Sequence, residues 1–418
     1  MPMTSAAALD PRPIGATDFR VIGLIGGAHF TSHFFQMSLP PLFPVMKEVF
    51  GVGYGELGLL MTVFYGVSSL GQAAAGFVVD RFGARAVLVC GTALLGVSLI
   101  LIAQATSYPM LMLCVVPLSL GNCVFHPADY SILSASVSPQ RMGRGFSAHA
   151  LGGTTGYAAA PVVILGLSAL GGWRFALTAV GCIGLVVALI VYSQSAVLKE
   201  DRAARQHGAP VPAPGDAAAS VLRLFLSPPI LLCFAYFCFL AAAGTALQSF
   251  LAPTMLALQG IPIAVGLSAL TAYLCGSATG ITLGGYTADR FRHHEFMVAL
   301  GLCGAASMVL LAGFTAGSGM VLAAMMAAAG FMAGTASAAR DMLVRRATPK
   351  GASGKVFGFV YSGLDFGSTV SPAVAGYMLD HGMPLAVIFL VAAGHLLAVS
   401  TAIGLGRYAR APVAVPAE

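Results

Sequence analysis

The chain has 418 residues, of which 58% are hydrophobic and only 9% are charged. Soluble domains carry about 25% charged residues. The composition therefore excludes a soluble enzyme, a nucleic-acid-binding protein and a disordered chain, and it indicates an integral membrane protein. The formal net charge of +6 does not require a polyanionic partner, because the positions of the basic residues relative to the membrane account for it.

Twelve apolar segments are long enough to cross a bilayer as helices, which takes about 20 residues each. The predicted spans are 21–46, 55–79, 86–106, 109–136, 145–169, 174–196, 224–256, 262–287, 294–315, 318–344, 356–379 and 383–406. Membrane-spanning strands would alternate in polarity over about 9–11 residues, and none of these segments does. The first segment is longer than the apolar region of a signal peptide, so we predict that it is retained as the first helix.

The basic residues favour one side of the membrane. When the loops are assigned alternately to the two sides, 18 of the 21 Lys and Arg residues fall on one side. Lys47 and Arg174 fall on the other side, and Arg340 lies within a span. Short cytoplasmic loops carry the excess of Lys and Arg. We therefore predict a multi-pass protein of the plasma (inner) membrane with both termini in the cytoplasm, and no nucleic-acid partner.

A polar linker divides the twelve predicted spans into two sets of six. It combines charged residues with several prolines, as flexible connectors do. The predicted units are a cytoplasmic N-terminal tail, a six-helix bundle, the cytoplasmic linker, a second six-helix bundle and a cytoplasmic C-terminal tail. Their predicted boundaries are 1–20, 21–196, 197–222, 223–406 and 407–418.

The two halves repeat the same sequence features in the same order, at offsets of 209 to 211 residues. The matched residues are Gly76, Asp80 and Arg81 with Gly285, Asp289 and Arg290, then Pro139 with Pro349, then Gly152, Gly156 and Pro161 with Gly363, Gly367 and Pro372. Repeated membrane halves are typical of secondary transporters, whose substrate site lies between the halves. The GxxxG spacing in the last group allows two helix backbones to approach closely.

The repeated acidic and basic motif resembles the loop 2–3 signature of the major facilitator superfamily. It reads Gly76-Phe-Val-Val-Asp80-Arg81-Phe-Gly83-Ala-Arg85, and a degenerate copy reads Gly285-Tyr-Thr-Ala-Asp289-Arg290-Phe-Arg292. The resemblance implies an all-α membrane protein with 12 transmembrane helices in two pseudo-symmetric six-helix bundles. It also implies that the motif acts as a conformational latch, although a static staple between the loops is the alternative. The implied latch residues are Gly76, Asp80, Arg81, Gly83, Arg85, Gly285, Asp289 and Arg290.

Two short stretches also resemble fosmidomycin-resistance-type exporters. They are Gly27-Ala-His29-Phe in the first predicted helix and Phe125-His126-Pro127 in the fourth. The second half of the chain does not share this resemblance. The substrate of those exporters is therefore not implied for this chain.

Four ionisable side chains fall well inside predicted spans, namely Asp129, Arg340, Asp341 and Asp365. Each costs about 2.5–3.5 kcal/mol at the centre of a membrane helix on insertion scales. We therefore expect them to face an aqueous cavity or one another. Arg340 stays charged, so it requires one of these aspartates or an anionic substrate as its partner.

The histidines within the spans add to this polar set. His29 and His33 are four residues apart and share one face of a helix, where they serve as cavity hydrogen-bonding groups or bind substrate. A zinc pair would lack a third ligand, so we predict no metal and no cofactor. His126 and Asp129 are three residues apart and form either a proton carrier or a static buried pair.

The family resemblance implies that helices one, four, seven and ten line the cavity and that helices four, five, ten and eleven close its cytoplasmic side. On this basis the residues fall into three predicted groups. They are a substrate cavity of His29, His33, Phe34, His126, Arg340 and Tyr361, a proton-coupling group of His126, Asp129 and Asp365, and a gate of His149, Arg340 and Asp341.

These features predict a secondary transporter that works by alternating access, as a proton-coupled antiporter that exports small organic molecules or drugs. Its expected partners are a small-molecule substrate, protons and the lipid bilayer, and the expected form is a monomer. The alternative is proton-coupled uptake of a small organic anion, with Arg340 as the carboxylate clamp. No enzyme activity is expected, because the sequence shows no nucleophile constellation and no complete metal triad.

Overall fold

The computed structural model describes residues 16–138, 141–198, 223–288, 293–315, 318–347 and 353–410. Helices dominate these residues, and no strand occurs among them. The α-helices are α1 (Ala16–Gln36), α2 (Phe43–Phe50), α3 (Tyr54–Phe82), α4 (Ala84–Ala103), α5 (Tyr108–Asn122), α6 (Phe125–Ser136), α7 (Met142–Ser193), α8 (Pro228–Gln259), α9 (Ile263–Ala288), α10 (His294–Phe314), α11 (Gly319–Ala347), α12 (Ser353–Asp380) and α13 (Pro384–Arg410).

Within this part of the chain, eight helical segments are long and apolar enough to cross a membrane. One of them, Ala148–Ser193, contains two spans, because the backbone leaves the helical conformation at Gly171 and Gly172. Gly172 has a φ of 79°, which favours glycine because it has no Cβ. The other three predicted spans correspond to α1, α3 and α12. The predicted all-α fold with twelve transmembrane helices is confirmed.

The fourth span is broken between α5 and α6. Pro127 has no backbone N–H and cannot donate a hydrogen bond to the carbonyl group one turn earlier. Accordingly, α5 ends at Asn122 and α6 begins at Phe125. The break places His126 and Asp129 in the first two turns of α6, beside α1 and α7.

The two GxxxG pairs occupy equivalent places in the two bundles. Side chains added at Gly152 and Gly156 of α7 would clash with backbone carbonyl groups of α1. Side chains added at Gly363 and Gly367 of α12 would clash with carbonyl groups of α8 in the same way. Each pair therefore lets the fifth span of its bundle pack directly against the first span. The GxxxG spacing predicted such a close approach without specifying the partner helix.

The bundles share a hydrophobic core at the end of the molecule opposite the chain termini. One buried cluster joins the first bundle to the later part of α8 and the early parts of α9 and α13, including Phe250, Leu270 and Val391. A separate cluster joins the early part of α8 to the late parts of α11 and α13, including Phe237 and Ala339. Among the described residues, the hydrophobic core shared by the two bundles therefore reaches the second bundle at the end opposite the termini.

Candidate functional site

A cavity of about 320 Å³ lies between the two bundles. Its walls combine aromatic rings, among them Tyr65, Tyr157 and Tyr273, with polar side chains from both halves of the chain. The polar lining includes His33, Gln72, Asn122, His126, Gln248 and Asp365. Counted as membrane spans, the expected spans one, four, seven and ten all contribute to the lining. Spans two, five, eight, eleven and twelve contribute as well.

Of the four first-bundle residues that the sequence predicted in the cavity lining, two line the cavity and two do not. His33 and His126 line it. His29 is only 3% exposed and lies behind them. Phe34 belongs to the hydrophobic core and is not among the described residues that line the cavity.

Beside the cavity, three helices bring together His29, His33, His126, Asp129 and His149, which we call the histidine cluster. Asp129 is fully buried, and its Oδ2 lies 3.1 Å from Nε2 of His149 in a hydrogen bond. The same oxygen lies 3.3 Å from Nδ1 of His29. Asp129 of α6 therefore connects α1 to α7.

The imidazole rings of the histidine cluster pack against one another. The rings of His29 and His149 are stacked with their centroids 3.5 Å apart. His29 is 4.4 Å from His33 and 5.1 Å from His126, measured between ring centroids. Like charges at such distances repel strongly where water is excluded. The cluster is therefore compatible with neutral rings or with a shared bound cation, but not with four imidazolium ions.

Asp365 joins the two bundles at the level of the cavity. Nε2 of Gln72 in α3 donates a hydrogen bond of 2.9 Å to Oδ2 of Asp365 in α12. Both side chains line the cavity. This carboxylate therefore contacts the cavity and the opposite bundle at the same time.

Arg340 is paired with its neighbour in the chain. Its Nε and Nη2 atoms donate hydrogen bonds of 2.8 and 3.3 Å to the two carboxylate oxygens of Asp341. Tyr361 donates a hydrogen bond of 3.1 Å to the same carboxylate, and the guanidinium carbon of Arg340 lies 4.8 Å from the ring centroid of Phe237. Arg340 and Tyr361 are not among the described residues that line the central cavity.

The motif between the second and third spans has a defined backbone. Gly83 separates α3 from α4 with a φ of 94°, a conformation that favours glycine. Nη1 of Arg85 donates a hydrogen bond of 3.2 Å to the carbonyl oxygen of Ser195, whereas Arg81 is exposed. A Cβ added at Gly76 would meet no atom within 4 Å.

The rest of the predicted latch is only partly described. Helix α3 continues to Phe82, so Asp80 lies in its last turn rather than beyond its end, and the Asp80 side chain lies outside the described part of the structure. Gly285 lies in α9. Asp289 and Arg290 lie outside the described residues.

Sequence reasoning missed a contact at the end opposite the termini. Asp380, the last residue of α12, accepts hydrogen bonds of 2.8 and 2.6 Å from the backbone N–H groups of Tyr54 and Gly55. Nζ of Lys47 lies 3.7 Å from the same carboxylate. A carboxylate at a helix N-terminus satisfies free N–H groups and interacts favourably with the helix dipole. The sequence did contain a signal for this contact. Asp380 is an acidic residue at the end of a predicted span, and it lies on the side of the membrane where Lys47 is one of only two basic residues.

Comparisons with known proteins agree with this architecture. The family model described as Major Facilitator Superfamily matches residues 25–269 and 238–416. The structure resembles a crystal structure of a bacterial homologue of the human lysosomal transporter Spinster in an inward-facing, occupied conformation. The TM-score is 0.71 at 17% sequence identity, over 94% of this chain and 96% of that one.

Two curated proteins are similar over part of their length. An uncharacterised MFS-type transporter, YfnC, of Bacillus subtilis is 26% identical over 38% of this chain and 40% of its own length. The fosmidomycin resistance protein of Escherichia coli is 26% identical over 39% of each chain. The chain thus matches about two fifths of the length of these relatives. The family model matches nearly the whole sequence, and the chain belongs to the Major Facilitator Superfamily.

Proposed function

We propose that this transporter is a proton-coupled antiporter that exports small organic molecules or drugs by alternating access. The partial similarity to a fosmidomycin resistance protein supports export of a small organic molecule. The cavity volume of about 320 Å³ is at the lower end of the range for small-molecule pockets. Both termini are cytoplasmic in this proposal, which the distribution of Lys and Arg supports.

The observation that carries proton coupling is the position of Asp365. It is a carboxylate on the cavity wall, so water and protons reach it. Its hydrogen bond from Gln72 crosses between the bundles and has to change when the bundles move apart at this level. The proton affinity of Asp365 therefore differs between the two states, as coupling requires.

Two other predicted proton-coupling residues are less suitable for this role. Asp129 is fully buried and is enclosed by His29 and His149, away from the cavity water. His126 reaches the cavity, but its ring contacts among the described residues are all with the first bundle. We therefore assign the transported proton to Asp365.

Uptake of a small organic anion with Arg340 as the clamp has less support. The guanidinium group already forms two hydrogen bonds with Asp341. A substrate carboxylate would have to displace that partner. Arg340 also lines a separate small cavity beside Tyr236 and Phe237, and not the central one.

The test begins with a thermal-shift screen of the purified chain against fosmidomycin, other amphiphilic drugs and organic anions, because a ligand stabilises the folded state by mass action. A stabilising compound is then followed in proteoliposomes with and without an imposed pH gradient. We expect Asp365→Asn to lose gradient-driven flux and to retain exchange of the compound across the membrane.

Asp18→Asn is the matched control, because Asp18 lies at the start of α1 and accepts a hydrogen bond from Ser138, far along the helix from the cavity. It should transport like the wild type. Gradient-driven flux in Asp365→Asn at the wild-type rate would refute the assignment of the proton site.

A further inference from the structure

Three histidines of the histidine cluster form a compact set of nitrogen donors at the edge of the cavity. One nitrogen each from His29, His33 and His126 lies within 4.8 Å of the other two. Around a tetrahedral ion with bonds of 2.0–2.1 Å to nitrogen, donor atoms lie about 3.3 Å apart. Ion binding would require the three nitrogens to move closer together, from within 4.8 Å of one another to that spacing.

Helix α7 packs closely against two of these rings at Gly153. A Cβ added there would lie 3.1 Å from Nε2 of His29 and 3.1 Å from both Cε1 and Nδ1 of His33. Nε2 of His29 and Nδ1 of His33 therefore lie beside the same residue of α7, and a side chain at this residue would displace both rings.

One donor atom, Nδ1 of His33, is also unsatisfied by the described residues of the protein. Nδ1 of His29 and Nδ1 of His33 are buried and form no hydrogen bond with any described residue. Buried polar atoms are normally hydrogen-bonded, so each exception needs a physical reason. A bound cation supplies that reason for His33 directly.

For His29, the neighbouring carboxylate completes the arrangement. Its Nδ1 lies 3.3 Å from Oδ2 of Asp129, and its Nε2 lies beside Gly153 of α7. Histidines that bind metals commonly have a carboxylate on the opposite ring nitrogen, which fixes the orientation of the ring.

We propose that His29, His33 and His126 bind a divalent transition-metal ion at the edge of the central cavity, with Asp129 orienting His29. Imidazole ligands suit zinc, nickel and copper ions. His33 and His126 line the cavity, so the fourth coordination position opens toward it. Water or an oxygen-donor ligand in the cavity occupies that position, as in zinc sites with three protein ligands.

A second set of donors shares His29 with this site. One atom each from His29, Asp129 and His149 also lies within 4.8 Å of the others. All three residues are buried. Asp129 and His149 already form a hydrogen bond through Oδ2 of Asp129, although Oδ1 has no hydrogen-bond partner among the described residues. The set that faces the cavity has a donor that the described residues leave unsatisfied, Nδ1 of His33, and a route of entry, and we assign the ion to it.

The test uses the full chain in detergent, purified with an affinity tag that contains no histidine and stripped with EDTA. Zinc binding is measured by equilibrium dialysis with elemental analysis, and the visible spectrum of the Co²⁺-loaded protein reports the geometry. We expect one ion per chain and a tetrahedral Co²⁺ spectrum. His33→Ala, His126→Ala and Gly153→Ala should each weaken binding by about tenfold or more.

Two matched variants control for general effects. His395→Ala removes a cavity-lining histidine of the second bundle, and Gly166→Ala adds a Cβ where no atom lies within 4 Å. Both should bind the metal like the wild type. Elution volume and thermal stability of each metal-free variant show whether it is folded.

The absence of saturable binding to the folded wild type would overturn the proposal. So would wild-type affinity in folded His33→Ala and His126→Ala, or loss of binding in His149→Ala alone, which would assign the ion to the buried set. The metal site does not depend on the proposed transport function. Asp365→Asn, which should lose gradient-driven flux, should bind the metal normally.

Discussion

Asp129 is a buried carboxylate whose burial is unfavourable by itself but whose contacts connect three helices. A carboxylate with no exposed surface is unfavourable in a membrane protein unless its lone pairs have partners. Here Nε2 of His149 forms a hydrogen bond with its Oδ2, and His29 lies beside the same oxygen. The residue therefore fixes the positions of three helices and also positions the histidines next to the cavity.

We expect Asp129→Ala to lower the free energy of unfolding by about 1–3 kcal/mol, because His149 loses its partner in a site closed to water. Thermal or denaturant unfolding in lipid bicelles measures the change. Glu48→Ala, at an exposed position of α2, should change stability by less than about 0.5 kcal/mol, as is usual for surface positions. Equal stability of the two variants would show that the buried contact contributes nothing.

Arg340 shows what sequence reasoning alone leaves open. Its need for a partner followed from the cost of an unpaired charge inside the membrane, and the sequence offered Asp341, Asp129, Asp365 or a substrate. The structure pairs it with Asp341. The choice depends on side-chain conformation, which the spacing of residues along a helix does not specify.

At the scale of helices, close packing depends on residues without side chains. Gly156 of α7 faces a carbonyl group of α1, and Gly367 of α12 faces one of α8. Small residues at such positions let membrane helices gain dispersion contacts between their backbones. The GxxxG spacing predicted these contacts because it depends only on local periodicity.

A larger side chain at one of these positions should separate the helices. We expect Gly156→Val to lower the free energy of unfolding by about 1–3 kcal/mol or more, because α1 and α7 cannot both keep their positions. The yield of monodisperse protein and its thermal stability measure the effect. Gly166→Val is the control, since a Cβ there meets nothing within 4 Å, and a similar loss in this variant would contradict the packing argument.

The contacts between helix ends were beyond the reach of sequence analysis. Asp380 and Tyr54 are more than 300 residues apart in the chain, and their contact depends on how the two bundles pack. Likewise, His29 and His149 share a carboxylate, although periodicity specifies only the helix face each occupies. The apolar spans were predictable because the bilayer requires them, whereas these tertiary contacts follow from the assembled fold.

Asp380 should hold the bundles together at the end opposite the termini. Asp380→Asn replaces the carboxylate by a neutral amide. The interactions of this side chain with the start of α3 and with Lys47 should therefore weaken. Spin labels at Val49→Cys and Met383→Cys, two exposed positions near this end, measure the separation in a cysteine-free chain. We expect Asp380→Asn to increase the population with longer distances, and Asp18→Asn to leave the distribution unchanged. An unchanged distribution in Asp380→Asn would contradict this role.

At the scale of the whole molecule, the buried apolar residues that the structure describes form two clusters. The second bundle shares one core with the first bundle at the end opposite the termini and has a separate core toward the termini. Asp365 and Gln72 lie between these two regions and form a hydrogen bond between the bundles.

Alternating access requires that opening at one end accompanies closing at the other. The most direct measurement adds a second pair of spin labels, at Phe82→Cys of α3 and Leu226→Cys before α8, which are exposed positions toward the termini. In the Asp380→Asn background we expect this distance to shorten in the same population in which the distance between positions 49 and 383 lengthens. Distances that change in the same direction at both ends, or at neither end, would contradict a transporter that alternates around the central cavity.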